Sequence, residues 1–376
     1  MLLALAASFF VVFGSPYVGE IRAALQSTFP EYYRTLIGGT VVVAVVGALV
    51  AAVQGIRRRQ EPSTSIPRTH QRTWVRYTLL ALAVGVAVLY ANAVSASEAD
   101  VRVVEAFHFV EYGLVTFLYY RVWHRRPDVG VVVFPACAAL FVGIADEFVQ
   151  WFVPGRVGEM HDVLINAVAI GCSLLFVVAV YPPSSVRWPR NRRARIAVGT
   201  FVSALVIAAA GFVDRVHLGY EIRDEPTRLF RSQYDAAALA AASADRAVRW
   251  RTALPPQSGF TREDRYFTEG RWHVQQRNIA ERTGDMWVAW NENRILERFY
   301  APVLDYQGSR WTDEQVSHVA QAAQATPRRP YVSEAQGSFP LYLVTRSQFW
   351  SWTVLLVAAI LVLCRGRSRK AADDRR

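Results

Sequence analysis

Three stretches of this 376-residue chain place ionisable and amide side chains where apolar residues otherwise dominate. The first reads Glu105-Ala106-Phe107-His108-Phe109-Val110-Glu111-Tyr112; Glu105, His108 and Tyr112 stand at i, i+3 and i+7, so on a helix they share a face. The second holds Asp146, Glu147 and Gln150 and runs into Pro154-Gly155-Arg156. The third sets Asp162 and Asn166 at i, i+4, one residue after His161. These types can do acid–base chemistry. Asp146 or Glu147 can act as acid or base and His108 as proton carrier, because two close carboxylates in a dry site need not both be ionised. Arg156 offers a planar fork of donors matched to phosphate or carboxylate. Glu105, Tyr112, Gln150, Asp162 and Asn166 add groups for binding. Glu105-x-x-His108 is half of the Glu-x-x-His pattern of helical di-metal proteins, which needs a second copy that the sequence lacks. No metal and no cofactor are expected.

The elements that must carry these residues are membrane helices. Hydrophobic residues make up 52% of the chain and mean hydropathy is +0.15. Runs of ~17–25 apolar residues can cross a ~30 Å hydrocarbon layer as helix. Such runs lie at 35–55, 76–96, 105–123, 130–152, 161–181, 196–213 and 348–364. A shorter one, Met1 to Phe13, ends at Gly14-Ser15-Pro16 and lacks the basic start of a signal peptide, so it reads as an eighth span. The expected fold is an all-α membrane protein with about eight transmembrane helices. Its regions are 1–100, N-terminal spans; 101–181, a core holding the polar set; 182–213, a basic linker and a span; 214–346, an extracytoplasmic domain; and 347–376, the last span and a basic tail.

Charge placement orients the chain. Arg and Lys favour the cytoplasmic side, counted over short loops. One set of alternate connections, from Arg57 through the tail at Arg376, holds twenty of them, whereas the opposite short loops hold only Arg22, Arg34, Arg102 and Arg156. Both termini are therefore expected inside a bacterial cytoplasmic membrane, with the three polar stretches at the outer helix ends. The net charge of +11 belongs to these inner loops beside anionic lipid. Residues 214–346 are nearly neutral, with 18 Arg against 17 Asp and Glu, so a nucleic-acid partner is excluded. Cys137, Cys172 and Cys364 all fall in spans, and the outer segment must fold without disulfides.

The outer segment reads as a small helical domain. Asp235 to Trp250 is Ala-rich. From Trp272 to Tyr300 only Gly284 interrupts, and Val288, Ile295, Leu296 and Phe299 form one apolar stripe. Trp290 lies off that stripe and is expected to pack against another element. Pro302, Pro327 and Pro330 are expected helix stops.

The polar set resembles the VanZ-like family of bacterial membrane proteins, named for a protein associated with teicoplanin resistance. That family shows His and Tyr four apart, here His108 and Tyr112; Asp-Glu-x-x-Gln, here Asp146, Glu147 and Gln150; a Pro-Gly-Arg turn, here Pro154, Gly155 and Arg156; and Asp-x-x-x-Asn, here Asp162 and Asn166. The motifs cover 101–181; Ala169 stands where the family has glycine, which bears on close helix packing there. The resemblance implies a polar site at the outer face and a link to the cell envelope or to glycopeptide antibiotics. It does not imply an enzyme.

Three readings of the residues stay open. The set can be structural glue between helices. It can bind a polar group of an envelope lipid, a peptidoglycan precursor or a glycopeptide, with the bilayer as standing partner. Or it can be an enzyme site acting on a polar or phosphorylated lipid at the outer leaflet.

Overall fold

The computed structural model describes residues 1–30, 32–58, 73–94, 99–152, 158–224, 228–252, 264–326, 329–335 and 340–366. Eight long helices fall among them: α1 (Leu2–Thr28), α2 (Tyr33–Arg58), α3 (Thr73–Val94), α4 (Ala99–Trp123), α5 (Gly130–Gln150), α6 (Met160–Val180), α7 (Arg192–Val216) and, last in the chain, α13 (Arg346–Gly366). Six of them, all but α1 and α4, are long and apolar enough to cross a membrane. In α4 the apolar run is broken by Arg102, Glu105 and Glu111. The helix of α1 does not stop at Gly14-Ser15-Pro16 but runs on to Thr28; only Leu2–Ser15 of it is strongly apolar. The protein is an all-α membrane protein, and among the described residues six helices are long and apolar enough to span a membrane.

Large apolar side chains face outward from these helices, with Val43, Leu89 and Leu355 each about two-thirds exposed or more. Such a surface suits hydrocarbon and not water. The chain divides into two compact units, the first of 1–150, 160–210 and 352–376 and the second of 151–159 and 211–351.

In the first unit α6 lies against α3, α4 and α5, and α1 packs on α5. Ala4 and Val11 of α1 join Tyr112, Val115, Ala139, Val142, Ala169 and Ile170 in one buried cluster. Ala169 is fully buried there, so alanine in place of glycine is accommodated. Polar groups at one end of the bundle close helix termini. Arg76 of α3 is buried and donates from Nε to the Ala179 carbonyl (2.7 Å) and from a terminal nitrogen to that of Val180 (3.0 Å). Those carbonyls end α6 and have no partner within the helix, and a cation there also meets the negative end of the helix dipole. Arg195 of α7 likewise donates to the Cys364 carbonyl near the end of α13 (3.2 Å). At the start of α5 the Asp128 carboxylate accepts from the Gly130 backbone (2.8 Å) and pairs with Arg126. An apolar cavity of about 760 Å³ lies among α2, α3, α4 and α6. All three cysteines are free and buried.

The second unit is mainly helical, with α8 (Ala236–Arg249), α9 (Arg265–Thr283), α10 (Met286–Phe299), α11 (Ala301–Gln307) and α12 (Asp313–Gln324). Asp235 caps α8 through its side chain, as the Ala-rich run requires. Gly284 ends α9 at φ +82°, a left-handed turn that glycine takes without strain, and Asp285 caps α10. Ile295 and Leu296 are fully buried, and Val288 and Phe299 pack against the same core. Trp290 packs off that stripe, beside Ala289, Trp311 and Val319. Pro302 opens α11 rather than merely ending α10, since proline fits a helix's first turn.

The helical reading omits a small sheet. β1 (Tyr220–Asp224) pairs antiparallel with β2 (Arg228–Ser232), and β2 pairs parallel with β3 (Tyr331–Val332). Asp224, buried at the end of β1, holds Arg228 (2.7 Å) and Arg298.

Candidate functional site

The site is built where α4, α5 and α6 meet. α5 buries Asp146, Glu147 and Gln150 together because i, i+1 and i+4 fall within one broad helix face. Gln150 Nε2 donates to Asp146 Oδ2 (3.2 Å) and to Glu147 Oε1 (3.0 Å). Across from them, fully buried Tyr112 on α4 donates its hydroxyl to Asp146 Oδ2 (3.2 Å). The His108 ring, one turn earlier, is stacked on Tyr112 with centroids 6.0 Å apart. Five of the expected residues thus converge.

Asn166 of α6 completes the inner wall. It is fully buried, and neither its amide nitrogen nor its amide oxygen meets a hydrogen-bond partner among the described residues. It lies against Gly143 of α5: a Cβ built there would stand 3.2 Å from the Asn166 amide nitrogen and 3.4 Å from the Tyr112 ring. Glycine at 143 is what lets the three helices bring Tyr112 and Asn166 so close. An orphaned amide in an apolar interior costs about 1–3 kcal/mol, so its position calls for an explanation.

Glu111 was not singled out by spacing, yet it is half-buried and lies within electrostatic range of Asp146. Its place beside Tyr112 was the available signal. It brings a third carboxylate to the set. Asp162 is half-buried at the first turn of α6, and His161 beside it is exposed. Pro154, Gly155 and Arg156 lie outside the described residues, as does the side chain of Glu105. Among the described residues no group of three His, Cys, Asp or Glu side chains is arranged to hold a metal ion.

A family model described as VanZ/LLP1 matches residues 2–181. This region belongs to the VanZ/LLP1 family. The VanZ region is larger than the motifs alone indicate, since it takes in α1, α2 and α3 as well as the three helices that carry the polar set. That agrees with the packing of α1 on α5 and of α3 on α6, which makes these helices part of one bundle. It ends at the C-terminus of α6, where Arg76 closes the helix. No curated protein and no solved structure matches the chain.

The arrangement joins Asp146 and Glu147 through the Gln150 amide, and it can present donors and acceptors to a polar group. Tyr112 and Gln150 each donate to Asp146 and so fix its orientation. Asn166 supplies one donor and one acceptor that the described protein does not use.

Proposed function

We propose that the VanZ region binds the polar group of a cell-envelope molecule at the outer ends of α4, α5 and α6. The carrying observation is Asn166. A residue serving only to join helices would be paired, as Tyr112 and Gln150 are, whereas Asn166 keeps an amide inside the bundle that meets no partner among the described residues. Candidate ligands are an envelope lipid, a peptidoglycan precursor or a glycopeptide, with Arg156 contributing a fork to any anionic group they carry. The apolar cavity supports a ligand with a hydrocarbon tail. At about 760 Å³ it falls in the ~300–1,000 Å³ range of small-molecule pockets, and it shares α4 and α6 with the polar set.

The test compares wild type with Glu147→Gln, which keeps the size and hydrogen bonding of the side chain but removes its charge and its proton. Lipids co-purified in mild detergent are identified by mass spectrometry, and glycopeptide susceptibility and thermal stability are measured beside them. The variant is expected to insert and to remain as stable as wild type while losing the bound lipid or the susceptibility phenotype. Arg156→Lys is the companion, since it retains a charge and loses the fork. If both changes lower stability in step with function, or neither alters function, the residues are glue. Orientation is tested with single cysteines in a background lacking Cys137, Cys172 and Cys364. Positions 97 and 258 should label with an impermeant reagent in intact spheroplasts, and 63 and 185 only after lysis.

A further inference from the structure

The second unit contains a cavity that the VanZ reading does not involve. One face of α9 presents Arg265, Thr268, Glu269, Trp272 and His273, spaced i, i+3, i+4, i+7 and i+8. Arg231 of β2 also lines the space, which measures about 30 Å³. A single water needs ~10–15 Å³, so there is room for about two water-sized groups.

The lining is charged and its hydrogen bonding is uneven. Glu269, half-buried, accepts from Ser232 Oγ (2.7 Å), the Gln233 backbone (2.8 Å) and the Tyr300 hydroxyl (2.8 Å). Its acceptor capacity is taken up by the scaffold. Arg265 is buried, donates Nε to Gln233 Oε1 (2.9 Å) and lies over the Trp151 ring at 5.4 Å. Arg231 donates to the Leu341 carbonyl (3.2 Å), while its buried Nε meets no partner among the described residues. His273 is 3% exposed, and its Nδ1 stands 2.6 Å from Glu292 Oε2. Glu292 also accepts from Ser333 Oγ (2.5 Å) and Tyr331. A carboxylate only accepts, so Nδ1 carries the hydrogen and Nε2 is the ring nitrogen left over. It has no hydrogen-bond partner among the described residues.

We propose that this cavity binds the carboxylate end of a small organic anion, with Arg231 and Arg265 as its charged walls. The planar carboxylate suits a space for two oxygens and the forked donors of arginine; a tetrahedral oxyanion overfills it. Tyr300, which follows α10, and Tyr331 of β3 are neutral neighbours, since burial and an adjacent carboxylate hold both phenols well above their ordinary range.

The test uses the full-length protein in mild detergent. Thermal unfolding is followed against sodium acetate, with sodium chloride and sodium phosphate at matched ionic strength, at pH 7. Acetate should raise the midpoint saturably and chloride should not. Arg231→Gln should weaken acetate at least tenfold. Should that variant fail to fold, Arg231→Lys, which keeps the charge and loses the fork, should weaken it severalfold. Equal responses to acetate and chloride, preference for phosphate, or a foldable Arg231 variant with unchanged affinity each overturn the proposal.

Discussion

Buried polar groups are treated differently in the two units. In the second unit Glu269 and Glu292 are each surrounded by three donors from different elements, so each carboxylate works as a rivet. In the VanZ region Asn166 is as deeply buried as Glu292 and has no partner among the described residues. A saturated network rigidifies a core, whereas an unsatisfied buried amide costs stability and is kept for another reason. On the function proposed above, the contrast separates residues that build the protein from residues that serve it.

The largest expected effect is on the rivets. Glu292→Ala leaves His273, Tyr331 and Ser333 facing an empty space, and breaking such a buried network costs about 3–5 kcal/mol. The readout is the thermal midpoint of the full-length protein; a loss below about 1 kcal/mol would remove the distinction drawn above. Asn166→Leu should do the opposite. Stability should hold or rise by about 1 kcal/mol, because an orphaned amide is replaced by a side chain of similar size, while the envelope phenotype is lost. A drop of several kcal/mol would show that Asn166 is structural after all.

Gly143→Ala is a gentler probe of the same wall. Its Cβ would meet Asn166 and Tyr112 at 3.2–3.4 Å, so a cost of about 1 kcal/mol is expected, together with weakened function. Stability and phenotype unchanged from wild type would show the wall to be loose.

The smallest effect concerns pH. His217 donates to the Pro340 carbonyl (3.0 Å), and burial lowers its pKa below the ordinary value of 6.5. The unfolded chain then binds the proton more readily than the folded one. The contribution of His217 is fully present above pH 6.5 and is lost as pH falls through the lower folded value. Glu269, raised by burial against the pull of its donors, acts with the opposite sign, its contribution falling as pH rises above 4.5. Thermal midpoints of His217→Gln should therefore decline less than wild type on acidification from pH 7 to 5. An identical slope would assign the acid sensitivity elsewhere.

Much of the first unit was legible because a membrane imposes a simple code. Apolar runs of one length gave the helices, and Asp146, Glu147, Gln150 and Tyr112 were conspicuous against them. The convergence of Asn166 with Tyr112 through Gly143 was not legible, since it depends on how closely two helices approach. The first three helices carry no polar motif, so their membership in the VanZ region could not be read from spacing. In the second unit β1 and β2 were hidden by composition. Tyr-Glu-Ile-Arg-Asp and Arg-Leu-Phe-Arg-Ser alternate only briefly, and their arginines obscure the period of two. His273 and Glu292 stand 19 residues apart on different helices, a separation to which no local pattern responds.

Arg76 has a consequence for how the protein reaches its membrane. By the charge rule for membrane proteins, the cations from Arg57 to Arg76 would hold this segment of the nascent chain on one side of the bilayer. In the finished bundle Arg76 is buried and clamped to the last carbonyls of α6, a helix made about a hundred residues later. A charge that would serve as an address during insertion becomes a latch once α6 arrives. Reversing α3 afterwards requires tearing the guanidinium from two carbonyls as well as carrying it across hydrocarbon. Packing would thereby hold α3 in whatever orientation it acquires during synthesis.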